Sequence, residues 1–137
     1  MKIEQMLQFD RQCEQAIEIY KKAFGGEVIA FMRFSDANPK DLPPGYDAEK
    51  DANLIFHAQM MFGEQRILLC DNLFNKLPRG HSVYPVACFK TACEVKAAYE
   101  VMADGATILT PLSKTTYSDC VASLVDRFGI HWDLMCW

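Results

Sequence analysis

The spacing of apolar residues along the chain switches between a period of two and a period near 3.6, and the switches outline two similar successions of elements. Ile3 to Phe9 reads as a strand, and Asp10 then offers an N-cap carboxylate to a helix running to about Phe24. On that helix Cys13, Ala16, Ile17, Tyr20 and Phe24 form one apolar stripe, and Gly25-Gly26 ends it. Glu27 to Phe34 predicts a second strand, whereas Ser35 to Asp51, with Pro39, Pro43, Pro44 and Gly45, predicts a polar loop. Leu54 to Phe62 and Gln65 to Asp71 predict two further strands joined by a tight turn at Gly63-Glu64.

The succession then repeats. Tyr84 to Phe89 predicts a strand, and Thr91-Ala92-Cys93-Glu94 has the form of a capping box opening a second helix that ends near Asp104-Gly105. Strands follow over Ala106 to Thr110, Ser118 to Val125 and Ile130 to Cys136, the last preceded by a turn at Asp126-Arg127-Phe128-Gly129. The order is β-α-β-β-β twice over, an α+β class with one module at about 1–75 and another at about 80–137, in a single domain spanning 1–137. An offset of 80 places Cys13-Glu14 on Cys93-Glu94 and Gly25 on Gly105. An offset of 66 places Gly63 on Gly129, Leu68 on Leu134 and Cys70 on Cys136, so the Pro-rich loop would hold the extra residues of the first half.

A chain of 137 residues, half of them apolar, is the size of one domain with a continuous core. Its 14 basic and 18 acidic residues are interspersed, and the net charge of −4 argues against a nucleic-acid partner. No stretch approaches the roughly twenty apolar residues that cross a bilayer, and the N-terminus lacks an apolar leader, so a soluble protein without a membrane partner is expected. The six cysteines are scattered without a C-x-x-C pair; they read as small core residues with reduced thiols, and the expected location is cytoplasmic.

Several segments together carry a resemblance that covers nearly the whole chain: Ala16 to Tyr20 with Phe24-Gly25-Gly26-Glu27-Val28, Met32 to Asp36, His57-Ala58, Leu69-Cys70-Asp71, and Asp126 to Trp132. They resemble the PhnB-like branch of the vicinal-oxygen-chelate superfamily, which includes the glyoxalase, bleomycin-resistance and dioxygenase proteins. A methyltransferase label attached to that branch gains no support here, because no strand is followed by a glycine-rich turn and helix that would hold a nucleotide-like cofactor. The resemblance implies two tandem βαβββ modules forming a curved mixed sheet around a cleft, with helices on the outer face.

Metal-dependent members of that superfamily place a His or Gln on the first strand of each module and a Glu on the last. The matching positions are Gln5 and Tyr84, then Ile67 and Asp133. Only Gln5 and Asp133 offer oxygen donors, and a catalytic cation needs about three protein ligands, so neither metal nor cofactor is expected. His57, His81 and His131 show no ligand spacing and suit structural or exposed roles. His57 stays open between a core residue and a cleft group: a two-residue turn at Gly63-Glu64 would pair Ile67 with Met60 and Asp71 with Phe56 and put His57 on the helix side, and a bulged turn would reverse this. Alternation puts His131, Asp133 and Met135 on one face of the last strand, with Trp132 and Leu134 on the helix side. Asp133 then points into the cleft, as a general base or as an ion-paired structural carboxylate.

The expected function is a metal-independent small-molecule binding protein, with Gln5, His57, Asp71, Tyr84 and Asp133 as ligand-binding residues and a ligand that is largely apolar and carries a hydrogen-bond donor or a cation. The alternatives are a metal-dependent enzyme of the glyoxalase or dioxygenase type and a structural dimer, and a homodimer is expected in each case. No catalytic residue is assigned, and whether the protein is an enzyme stays open.

Overall fold

The computed structural model describes residues 1–137, which form two compact units: Met1–Lys21 with Gly25–Leu77, and Lys22–Phe24 with Pro78–Trp137. Each unit carries one open four-stranded sheet.

The first sheet contains β1 (Gln5–Asp10), β2 (Glu27–Arg33), β3 (Ile55–Phe62) and β4 (Gln65–Asn72) in the order β1-β4-β3-β2. β1 runs parallel to β4 and the other pairs are antiparallel, because α1 (Cys13–Phe24) carries the chain from one sheet edge to the other between β1 and β2. The stripe predicted on α1 is buried at Cys13, Ala16, Ile17 and Tyr20, and the Tyr20 ring lies 6.1 Å from that of Phe9 on β1. Beneath it Ala58, Met60, Ile67 and Leu69 are also buried. Each such large side chain contributes about 1.5–3 kcal/mol when taken fully out of water, so this helix-on-sheet layer is what holds the unit together. The polar loop after β2 contains two short 3-10 turns, Phe34–Asp36 and Pro39–Asp41.

Asp10 does not cap α1. Arg11 adopts φ 64, the helix begins two residues later than expected, and Asp10 stays in the sheet opposite Asn72, accepting hydrogen bonds from Asn72 Nδ2 (3.1 Å) and from the Leu77 amide (3.0 Å). The cap comes from a distant strand instead: the Cys13 amide donates to Asp71 Oδ1 at 2.8 Å.

The second sheet contains β5 (Val86–Phe89), β6 (Thr107–Ser113), β7 (Val121–Val125) and β8 (His131–Cys136) in the order β5-β8-β7-β6, with α2 (Ala92–Ala103) after β5. The capping box at α2 is complete: the Glu94 amide donates to Thr91 Oγ1 (3.3 Å) and the Thr91 amide to Glu94 Oε2 (2.9 Å). The turn before β8 is organised by Asp126, whose Oδ1 accepts from the Phe128 and Ile130 amides at 2.9 Å and whose Oδ2 accepts from Trp132 Nε1 at 3.2 Å. Gly129 sits at φ 85 within it, a conformation that L side chains rarely adopt. Trp132, Leu134 and Cys136 are buried on the side of β8 that faces α2, as alternation predicts, and the Trp132 ring lies 4.7 Å from that of Phe24. Tyr84 precedes β5 rather than opening it.

All six cysteines are free thiols, but they are not uniformly core residues: Cys13, Cys120 and Cys136 are buried, whereas Cys88 and Cys93 are exposed. β5 is an edge strand and Cys93 lies on the outward side of α2, which the apolar character of cysteine alone did not foretell.

Candidate functional site

The pairing of β3 with β4 runs from Phe62↔Gln65 through Met60↔Ile67 to Ala58↔Leu69, with Gly63 at φ 61, so the hairpin has the two-residue turn that the sequence suggests. The faces, however, are the reverse of those expected with that turn. Ile67, Leu69 and Asp71 point toward α1, and His57 lies on the opposite, open face of the sheet together with Gln59, Arg66 and Leu68. Asp71 is only 5% exposed and both its oxygens are used by backbone, Oδ1 by the Cys13 amide and Oδ2 by the Ile55 amide at 2.9 Å. Burial pushes its pKa up against the pull of those amides and of Arg11. Gln5 pairs with Ile67 in the parallel register and therefore shares the helix-side orientation, at an exposed strand start.

On the open face of the first sheet a continuous hydrogen-bonded chain is present. The Arg66 guanidinium forks onto Glu4 (Nε to Oε1 2.7 Å, Nη2 to Oε2 2.6 Å) and Nη1 donates to Gln59 Oε1 at 3.2 Å. Gln59 Nε2 then donates to His57 Nε2 at 2.9 Å, which makes that ring nitrogen an acceptor and puts the proton of the neutral imidazole on Nδ1. The Arg66 fork, helped by Lys2, holds Glu4 down at about 2. Arg33 is similarly engaged with Glu14 and with the Asn53 carbonyl.

The open face of the second sheet differs. His131 and Asp133 share it on β8, with Ser123 opposite Asp133 on β7. The Tyr84 ring stacks on His131 at a centroid distance of 3.9 Å and an interplanar angle of 23°, and the His81 ring lies 5.3 Å from His131. His131 Nε2 is 2.9 Å from Ser123 Oγ and 3.4 Å from Asp133 Oδ1, the latter without the alignment of a hydrogen bond. His131 Nδ1 and Asp133 Oδ1 are buried, and neither has a hydrogen-bond partner. Ser123 and Asp133 both address the same ring nitrogen. A nucleophilic Ser-His-Asp relay needs one of them at each nitrogen, so this trio is not a hydrolytic triad.

The strand registers also correct the internal repeat. Met6↔Leu68 on the first sheet corresponds to Val86↔Asp133 on the second, which keeps the offset of 80 at the first strands but makes it 65, not 66, at the last. Arg66 therefore occupies the position of His131, Glu4 that of Tyr84, Gln59 that of Ser123 and Leu68 that of Asp133. With these equivalences the positions compared above as candidate metal ligands do not come together as a set of donors. On the open face the last strand of the first copy supplies a guanidinium, Arg66, and a leucine, Leu68, the carboxylate of Glu4 is taken by Arg66, and no group of three His, Cys, Asp or Glu side chains stands together to hold an ion. The sequence did not point to Ser123; it gave His131 a structural or exposed role, although alternation already put His131 on the face of Asp133.

No protein-family model matches the chain, and no curated protein does. Among solved structures it is similar to a PhnB protein from Bacillus cereus (TM-score 0.81, 22% identity, 100% of both chains). It is similar also to a Pseudomonas aeruginosa protein (TM-score 0.82, 23% identity, 99% of this chain and 97% of that one). A glyoxylase/bleomycin resistance protein/dioxygenase domain from Frankia sp. is more distant (TM-score 0.64, 12% identity, 99% and 91%). These likenesses show that the chain shares its fold with those structures, the fold that the sequence resemblance implies.

Proposed function

We propose that this protein binds a small molecule on the open face of the second sheet, against Asp133 and His131 and beside Tyr84, without a catalytic metal. One observation carries the reading: two buried polar atoms, His131 Nδ1 and Asp133 Oδ1, have no hydrogen-bond partner in the protein. An unsatisfied buried polar group costs about 1–3 kcal/mol, and a bound molecule that satisfies it recovers that cost as affinity. Of the other residues proposed from sequence, His57 belongs to the hydrogen-bonded chain of the first sheet, Asp71 serves the framework on the helix side, and Gln5 lies at an exposed strand start on that side. The test is a thermal-shift screen followed by calorimetric titration of the hits. Binding is expected to weaken in Asp133→Asn and in Tyr84→Ala; hits indifferent to both substitutions would refute the site.

The chain assembles as a homodimer in this reading. β2 and β6 are edge strands with exposed apolar side chains at Ile29 and Phe31 and at Ile108 and Leu109, the kind of edge that association covers. Sedimentation showing only monomer at low micromolar concentration would overturn it. No helix is long and apolar enough to cross a membrane, and the six free thiols suit a reducing, cytoplasmic setting.

A further inference from the structure

Resting on that site, the geometry points to a narrower ligand class: we propose that it takes planar cations presenting two N–H donors on one edge, amidinium or guanidinium groups. The tautomer of His131 decides this. Its Nε2 faces two oxygens, the Ser123 hydroxyl and the Asp133 carboxylate. A bare lone pair there would be repelled by the carboxylate, whereas an N–H is attracted to both, so the proton sits on Nε2 and Nδ1 is left as a lone pair. Both atoms left without a hydrogen bond are thus acceptors, and the molecule that satisfies them must donate to each.

Charge narrows the class further. The ionisable group beside Asp133 is His131, whose proton is already directed at oxygen, and no lysine or arginine forms an ion pair with Asp133. The first copy shows what is missing. There the position of His131 is held by Arg66, whose guanidinium forks onto a carboxylate from the neighbouring strand. In the second copy Tyr84 stands at the position of that carboxylate, the carboxylate is on β8 itself, at Asp133, and no lysine or arginine pairs with it. A ligand amidinium or guanidinium supplies that fork, which matches a carboxylate in shape as well as charge, and Tyr84 offers an aromatic face for the same cation.

The experiment titrates the full chain with benzamidine, benzoate and benzyl alcohol, three probes of similar size and different charge. Benzamidine is expected to bind at least about tenfold more tightly than either of the others and to lose about tenfold or more in Asp133→Asn. A second measurement uses the wild-type protein alone. Side-chain 15N NMR should find His131 protonated at Nε2 and bare at Nδ1, with the Nδ1 resonance moving as benzamidine is added. Benzoate or benzyl alcohol binding as well as benzamidine, in a manner dependent on Asp133, overturns the ligand class and leaves the site standing. A proton on Nδ1 alone has the same consequence. Absence of binding by all three, together with a broad screen indifferent to Asp133→Asn, overturns both.

Discussion

Replacing Asp71 separates a framework carboxylate from a ligand-binding one. Asp71→Ala removes the acceptor of two buried amides, those of Cys13 and Ile55, held at 2.8 and 2.9 Å. A hydrogen bond to a charged group is worth about 1.5–3 kcal/mol, so the gross loss is about 3–6 kcal/mol. Relief of the burial that raises the carboxylate pKa offsets part of this, leaving a net cost of about 2–4 kcal/mol. Asp71→Asn keeps one acceptor oxygen but turns an NH2 toward an amide donor, and about 1–3 kcal/mol is expected. With a urea m-value of about 2 kcal/mol per molar, the Ala variant should unfold roughly 1–2 M earlier than the wild type. The pH dependence has a definite sign. Because the folded pKa lies above the ordinary value, the native state takes up the proton first on acidification. The stability advantage of wild type over the non-titrating Asn variant therefore shrinks as pH rises between the two values and is constant above. The reasoning is refuted if Asp71→Ala shifts stability by less than about 0.5 kcal/mol, or if it abolishes ligand binding at an unchanged unfolding midpoint.

Two further outcomes are expected. Gly26→Ala places a Cβ 2.3 Å from Phe62 Cε1; differential scanning fluorimetry should show a loss of about 1–3 kcal/mol, relieved in a Phe62→Leu background, and a neutral Gly26→Ala would show that the ring moves freely. The Arg66 fork depresses Glu4 from 4.5 to about 2, so its contribution is complete above the ordinary value and is lost as pH falls from there toward 2. Melting temperatures across that range should fall more steeply for wild type than for Glu4→Gln, and parallel curves would place the ion pair outside the stability of the fold.

What was legible in the sequence was whatever depended on local periodicity. The α1 stripe, the Thr91–Glu94 capping box, the Gly63-Glu64 turn and the alternation of β8 all follow from neighbours within a few residues, and the structure has them. Asp10 was misread because the acceptor for the α1 amide comes from 58 residues away, on a strand that no local pattern connects to the helix. The inner faces failed for a different reason. Leu68-Leu69-Cys70 offers apolar residues at consecutive positions, so β4 carries no alternation of its own to say which face is buried.

That ambiguity decides how the two copies compare. With an even offset Ile67 falls on Asp133, a buried helix-side residue on an open-face one, and the repeat suggests four candidate ligands at one kind of position. With the odd offset that the registers require, the comparison becomes Glu4, Arg66 and Gln59 against Tyr84, His131 and Ser123. The first set pairs a carboxylate with a guanidinium and is linked by hydrogen bonds; beside the second, Asp133 Oδ1 and His131 Nδ1 have no hydrogen-bond partner in the chain. The two copies share a scaffold position, and in the proposed reading the copy with buried acceptors lacking hydrogen bonds is the one with free energy left to offer a ligand. A chain in which Tyr84 and His131 are replaced by Glu and Arg, reproducing the first copy in the second, should therefore fold, pair the new guanidinium with the new carboxylate and with Asp133, and lose affinity for cations. If it binds benzamidine as the wild type does, the unequal satisfaction of the two copies is not what makes the site.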